Sequence, residues 1–235
     1  MKKYLFLLIS SVSFSAALGQ KIEFAAQVNS GLSWFGGESA TSRSFIIVSD
    51  VANQPNFTNH PYGKMPGTSY GFSGQVQRVT KRKLVLGLQA GYEVLKSKLA
   101  ITDVSMDTYK LVLITDGETI LRNEFTNWQF FVGKRLGRNN WKLDITAGPE
   151  VGFCQNSHEK GFAKSSDGYQ FTTDLNRTHP KADWRARLHV AAYYQKIGLS
   201  LGYAHGLSNY QANLEGANLK TYARITRLGI IYRFN

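Results

Sequence analysis

The sequence predicts an all-β fold: an eight-stranded antiparallel up-and-down transmembrane β-barrel with four long extracellular loops and short periplasmic turns. Three observations point to it. Apolar residues recur with a period of two over segments of about ten or more residues. The connections between those segments alternate between tight and long. After Gln20 no uninterrupted apolar run exceeds five residues (Val190–Tyr194), which excludes membrane-spanning helices.

Composition sets the outer bounds. The chain has 235 residues, enough for one domain of ordinary size. Cys154 is its single cysteine, so no intramolecular disulfide can form. With 13% aromatic residues it is unlike a disordered chain. The formal charge is +12, from 28 basic and 16 acidic residues. Such a balance is compatible with nucleic acid or an anionic membrane surface, and the N-terminus decides between them.

Residues 1–19 read as a signal peptide. Lys2 and Lys3 give a positive start, Tyr4–Ile9 an apolar stretch, and Ala17-Leu18-Gly19 a small-residue cleavage signal before Gln20. The apolar stretch is too short for a membrane anchor, which needs ~20 residues. The exported domain is then 20–235. Without Lys2 and Lys3 it has 26 basic against 16 acidic residues, or +10. Export argues against nucleic acid as a partner.

The strands follow in order. The first, 22–35, groups Phe24, Ala26, Val28, Leu32 and Trp34 on one face. The second, 68–79, groups Tyr70, Phe72 and Val76. The third, 84–94, places Leu84, Leu86, Leu88, Ala90, Tyr92 and Val94 outward, with Val85, Gln89 and Glu93 on the other face. The fourth, 122–135, groups Trp128, Phe130 and Val132. The fifth, 141–154, is the clearest: Trp141, Leu143, Ile145, Ala147, Pro149, Val151 and Phe153 oppose Lys142, Asp144, Thr146, Gly148, Glu150, Gly152 and Cys154. The sixth, 184–194, turns Trp184, Ala186, Leu188, Val190, Ala192 and Tyr194 out and Arg185, Arg187 and His189 in. The seventh, 197–207, turns Ile197, Leu199, Leu201 and Tyr203 out and Gly198, Ser200, Gly202 and Ala204 in. The eighth, 221–234, turns Leu228, Ile230, Tyr232 and Phe234 out. A transmembrane β-strand needs about 9–11 residues, with an apolar outer face flanked by aromatics. A soluble ligand-binding barrel would have a polar outer face and an apolar lumen, and this pattern is the reverse.

Three connections are tight, Thr80–Lys83, Leu136–Asn140 and Gln195–Lys196; four are long, at about 37–67, 97–120, 156–183 and 208–220. The alternating stretch Tyr109–Ile114 suggests that the third and fourth strands continue beyond the membrane. The chain ends Arg227-Leu-Gly229-Ile-Ile-Tyr232-Arg-Phe234-Asn235, which resembles the insertion signal of bacterial outer-membrane proteins. A closed barrel requires its last strand to pair with the first, so that no edge is left in lipid.

With this pattern, the segments GYEVLKSK (91–98), FVGKRL (131–136) and LGIIYRFN (228–235) resemble the PorT-like outer-membrane β-barrel family over the whole exported domain. The resemblance implies a small barrel in a Gram-negative outer membrane. It implies no single activity, although the namesake is linked to protein secretion, and it carries over no catalytic residues.

Candidate chemistry is sparse. His205-Gly-Leu-Ser208-Asn209, followed by Glu215, resembles the His-x-Ser-Asn pattern of lipid A deacylases with one extra residue. Positions i and i+3 of a strand lie on opposite faces, so His205 and Ser208 meet only across a bulge or turn. His60, His158, His179, His189 and His205 are scattered without metal-site spacing, and Cys154 is isolated. Asn56–Thr58 and Asn176–Thr178 match a glycosylation pattern that has no meaning in a bacterial outer membrane. No catalytic, cofactor or metal residues are expected.

The inward charges Glu93, Lys142, Asp144, Glu150, Arg185 and Arg187 are expected to form a salt-bridged plug, with Glu150 paired to Arg187 or Arg185. Of the loops, 37–67 carries Phe45-Ile-Ile-Val48, and 156–183 carries His158, Lys160, Lys164, Arg177, His179 and Lys181, which lipopolysaccharide phosphates would attract.

The sequence reading is therefore a non-enzymatic integral outer-membrane barrel with a structural or interaction role through its extracellular loops. The alternatives are a lipid-modifying hydrolase and an accessory component of a secretion or envelope-assembly complex. Expected partners are outer-membrane lipids and lipopolysaccharide, and the barrel-assembly machinery during insertion. A protein partner is left unidentified, and no cofactor is expected.

Overall fold

The computed structural model describes residues 21–51, 53–107, 110–137, 139–212 and 219–235. The expected signal peptide and cleavage site lie outside these residues, as does Glu215. Eleven strands are present: β1 (Lys21–Gly36), β2 (Arg43–Ile47), β3 (Phe57–Thr58), β4 (Met65–Val79), β5 (Leu84–Asp107), β6 (Lys110–Leu136), β7 (Trp141–Ser165), β8 (Gln170–Asn176), β9 (Ala182–Tyr194), β10 (Ile197–Gly206) and β11 (Tyr222–Arg233).

Eight of them form a closed antiparallel ring in the order β1, β4, β5, β6, β7, β9, β10, β11. The first strand seals against the last from Ala25↔Arg233 to Gly36↔Tyr222. Every other neighbouring pair is sequential, so the barrel is up-and-down, as expected. The closed ring leaves no open strand edge, which is the condition for crossing hydrocarbon with strands.

The alternation sorts the faces as the sequence indicated. Leu199 and Leu201 are each 62% exposed, while Ser200 between them is 3% exposed. Phe72, Phe130, Leu188, Leu228 and Ile230 continue the exposed apolar belt around the ring. At the end that carries the tight turns, Trp141 packs on Tyr194 and Tyr232 on Phe234, with ring centroids 5.0 and 5.4 Å apart. All three of those turns place a non-glycine residue at positive φ: Asn139, which tolerates it well, and Lys83 and Gln195, which do so less readily.

Of the four long connections, 97–120 is a continuation of two strands, as its alternation suggested, and 156–183 is corrected. The 97–120 segment is strand almost throughout, with β5 and β6 paired up to Asp107↔Lys110; of the stretch Tyr109–Ile114, Tyr109 itself lies outside the described residues. The 156–183 segment is mostly strand as well, because β7 runs on to Ser165 and β8 returns along it from Lys164↔Gln170 to His158↔Asn176. The pattern hides this because Gln155 is a bulge: Cys154 pairs with Phe125 and Asn156 with Glu124. One extra residue flips the side-chain parity. Even-numbered Asp144 and Glu150 point inward below the bulge, and odd-numbered Ser157, Glu159, Ala163 and Ser165 are buried above it.

β5, β6 and β7 have 24, 27 and 25 residues, more than twice what a membrane crossing requires. Their excess projects beyond the ring at the long-loop end. There β2 lies parallel to β5 and antiparallel to β3. Phe45-Ile-Ile-Val48, expected as loop, is mostly this strand. Ile46, Leu99, Ile101, Val104 and Ala163 form a second small core there, with Val48, Ile114 and Phe171 packed against it.

Closure rests heavily on the last four residues. Arg233 N donates to Lys196 O (2.8 Å), Phe234 N to Phe24 O (3.0 Å), and the Asn235 side chain bridges Phe24 N and Ile22 O. Deleting Tyr232–Asn235 is expected to abolish membrane assembly, read as loss of the heat-modifiable band from outer-membrane fractions; wild-type yield would contradict closure by this strand. A second expectation concerns faces. An arginine facing lipid at mid-depth costs about 2–4 kcal/mol. Leu199→Arg should therefore lower the urea midpoint of the folded barrel more than Ser200→Arg does, and equal effects would mean a register shifted by one.

Candidate functional site

The chemistry-bearing side chains concentrate inside the ring, in two layers. The layer near the tight turns holds Glu23 and Asp144 against Arg135 and Arg233. Arg135 makes a two-pronged bond to Glu23 (2.8 and 2.7 Å) and another to Asp144 (2.6 and 2.7 Å). Arg233 reaches Asp144 at 2.8 Å and Glu23 at 3.2 Å, and its guanidinium lies 3.4 Å from the centre of the Tyr193 ring. Gln77 donates to Glu23 at 2.8 Å. Two carboxylates thus meet two guanidiniums, and the planar fork of arginine suits each carboxylate. Lys142, also expected inside, is half-buried and forms no ion pair with these groups. Gly198 faces this layer, and a Cβ there would come within 2.5 Å of the Tyr193 ring. The glycine is what lets the ring lie across the lumen.

The second layer lies nearer the long-loop end and holds Glu93, Glu150 and Asp183 against Arg185, Arg187 and Arg227. Arg227 donates twice to Glu93 (2.9 and 2.7 Å) and once to Glu150 (2.8 Å). Arg185 reaches Glu93 at 2.7 Å, Glu150 at 3.0 Å and Asp183 at 2.8 Å, and lies 4.6 Å from the centre of the Phe125 ring. Arg187 donates to Glu150 at 2.9 Å. The expected pairing of Glu150 is present, and with both arginines rather than one. This layer too is balanced, three against three.

Between the layers Gln89, Gln129, Thr146 and His189 fill the lumen, leaving openings of about 20 Å³ and 10 Å³, each with room for about one water. Above the second layer Phe35, Leu95, Leu121, Phe125, Ala204, Tyr210, Ala223 and Ile225 close the lumen with an apolar lid. Tyr210 ties lid to plug by donating to Asp183 at 2.7 Å. The sequence reading missed Glu23, Arg135, Arg227 and Arg233. Parity alone could have found all four, since Phe24 and Ala26, Phe130 and Val132, and Leu228, Ile230 and Tyr232 face out.

The hydrolase candidates do not come together. His205 is exposed on the outer face beside Tyr203, at 3.4 Å from its hydroxyl. The Ser208 hydroxyl accepts from Trp184 N at 2.8 Å and donates to Ala182 O at 3.3 Å, which is a backbone-pinning role. Cys154 packs against the lid. His158 is engaged by Asp174 and Asn176, both at 3.0 Å. His60 reaches Gln211 at 3.0 Å, and burial pushes its imidazole below the ordinary value. Among the described residues, no three His, Cys, Asp or Glu side chains are grouped to hold a metal ion.

Outside the ring, Glu159 is fully buried and accepts from Arg177 at 2.5 Å and from Thr58 N at 2.8 Å; Arg177 also binds Thr58 O. Arg177 is therefore a structural cation joining β3 to β7, while Lys160, Lys164 and Lys181 remain exposed.

Removing one partner of a buried ion pair costs about 3–5 kcal/mol, because the other is left unpaired. Glu150→Gln leaves three arginines short of one carboxylate and is expected to lose about that much stability in urea titration, with insertion retained. Adding Arg187→Gln should restore part of the loss. No restoration in the double variant would mean that Glu150 and Arg187 are not energetically coupled.

No match to the chain was found among curated proteins. Two solved structures are similar at low identity. One is Ail, the attachment invasion locus protein of Yersinia pestis, in complex with the heparin analogue sucrose octasulfate; identity is 12%, coverage 91% of this chain and 99% of that one, and the TM-score 0.37. The other is the translocator domain of the autotransporter NalP from Neisseria meningitidis, at 12% identity, 99% and 96% coverage and a TM-score of 0.34. A family model described as outer membrane protein beta-barrel domain matches residues 20–211. Given that match over most of its length, the chain belongs to the outer membrane protein beta-barrel domain family and is a bacterial outer-membrane protein.

Proposed function

We propose that the protein is a non-enzymatic, non-conducting barrel whose role is to hold a folded extracellular platform at the cell surface for interaction. The carrying observation is that the lumen is filled at three levels, by two charge-balanced ion layers and an apolar lid. An eight-stranded ring is just wide enough for side chains to fill it, and here they do. The platform has its own core and its own buried ion pair, so it is ordered by the same forces as the barrel. Lys160, Lys164 and Lys181 on its surface favour contact with lipopolysaccharide phosphates. The likeness of segments 91–98, 131–136 and 228–235 to PorT-like barrels supports a finer reading, an accessory place in a secretion or envelope-assembly complex. The expected signal peptide at 1–19 would export the chain, and the C-terminal segment carrying Phe234 would present it to the assembly machinery.

Two measurements test this. Purified protein in planar bilayers is expected to give no steady conductance steps; ohmic steps present in wild type would overturn the closed-lumen reading. Photo-crosslinkers at the exposed platform residues Tyr169 and Thr178 in living cells should give discrete adducts that crosslinkers at lipid-facing Leu188 and Leu199 do not. Identical adduct patterns at both sets would remove the interaction role. A hydrolase is tested separately: loss of a lipid A product in the Ser208→Ala and His205→Ala strains would establish one.

A further inference from the structure

We propose that the periplasmic rim of the barrel is a docking surface for anionic phospholipid head groups of the membrane's inner leaflet. The two ends of the molecule differ sharply in charge. Among the described residues, every side-chain carboxylate outside the lumen and its lid lies on the extracellular half, from Glu38 through Asp116 and Glu118 to Asp167 and Asp174. At the periplasmic end the described side-chain carboxylates are Glu23 and Asp144, both buried and both taken by Arg135 and Arg233. Around them the rim carries Arg78, Lys81, Arg82, Lys83, Lys134 and Lys196.

Their depth identifies the partner. Lys134 and Arg78 lie on the outward face. Lys134 pairs across strands with Leu84 and Ile145, and Arg78 with Ile22 and Leu86; Leu84, Ile145 and Ile22 are exposed on the apolar belt. Trp141, Tyr194, Tyr232 and Phe234 stand at the same level, and such girdles mark head-group depth. Lys81, Arg82 and Lys83 follow in the 80–83 turn, and Lys196 lies two residues after Tyr194. The cations therefore sit at the depth of lipid phosphates, on turns too short to form a raised surface for a soluble partner. Lysine and arginine stems can lie along the belt while their heads reach the phosphates. Lys83 and Lys196 donate to the backbone carbonyls of Gly137 and Phe234, which are neutral acceptors. Basic residues at a membrane surface attract anionic lipid over about a Debye length.

The test uses Trp141 as a reporter in the full chain, with Trp34, Trp128 and Trp184 replaced by Phe. The protein is refolded into phosphatidylcholine vesicles containing brominated phosphatidylglycerol or brominated phosphatidylcholine, and quenching gives the relative affinity of the two lipids at the rim. We expect phosphatidylglycerol to be favoured about fivefold at low salt, the factor for roughly one well-placed cation, with the preference falling toward unity in 1 M salt and in K81Q/R82Q/K83Q/K134Q. A chain that keeps Trp184 alone, at the opposite rim, should show less preference. Should the reporter chains fail to refold, wild-type protein serves: its urea midpoint should rise with phosphatidylglycerol content and lose that rise in salt. Equal quenching by the two lipids, or no salt dependence, overturns the proposal. So does salt-sensitive co-sedimentation with peptidoglycan without lipid preference, which would transfer the rim to the cell wall.

Discussion

Ring closure at eight strands is the constraint from which the rest follows. Once β1 pairs with β11, the inward side chains have no bulk solvent and no lipid to turn to. Every charge that the alternation sends inward must then be neutralised inside, since an unpaired buried charge costs several kcal/mol. The ring meets this demand in balanced sets, two against two and three against three. Each set draws on strands from around the circumference: β1, β6, β7 and β11 for one, β5, β7, β9 and β11 for the other. The ion layers can therefore form only after the ring has closed in one register, and in turn they penalise any other register. A slip of one residue would send Arg227 or Glu150 into lipid.

The apolar lid extends this logic. An eight-stranded barrel with a wholly polar interior would let water reach the ion layers from outside. Phe35, Leu121, Phe125 and Ile225 prevent that, and Arg185 stacked on Phe125 connects the two environments. The lid also gives the extracellular strands something to stand on. β5, β6 and β7 leave the membrane already hydrogen-bonded to one another, so the platform begins as a sheet. The Gln155 bulge then redirects which face of β7 is covered, and Glu159 and Ala163 are buried there as a result.

How much of this was legible in the sequence depends on how different the two faces of each strand are. Residues 141–154 and 184–194 were plain, because their inner faces carry charge and their outer faces carry apolar and aromatic groups. Residues 22–35 and 122–135 were weak for an identifiable reason. Their inner faces include Phe35, Phe125 and Phe131, which build the lid or line the lumen and erase the contrast. The β7 extension was hidden by a single bulged residue, and β2 by its shortness. Strand parity placed Glu93, Asp144, Glu150, Arg185 and Arg187 inside, but the partners were only partly readable. Arg135 and Glu23 are 112 residues apart in sequence, and only the stagger of the closed ring brings them together. The scattered histidines and the His205–Ser208 pair suggested chemistry that the strand geometry separates: one points to lipid and the other caps backbone groups.

The same constraint explains why the two ends of the molecule can diverge so far in charge. Because the lumen sets are each internally neutral, they contribute no net charge to either rim, and the rims take their character from residues outside the ring's interior. The platform end needs both signs, since its strands pair side chains across the sheet, as Lys98 does with Glu118 at 3.0 Å. The turn end has no such sheet to stabilise. Its turns are two to four residues long, with few side chains facing one another, so like charges there meet little penalty from neighbours and are left to the surrounding membrane to balance. A barrel with rims that differ in this way has a preferred way up in an asymmetric bilayer, with mixed charge and exposed lysines toward the surface and a basic rim toward the interior. Its orientation is therefore supported by electrostatics at the ends as well as by the route of insertion.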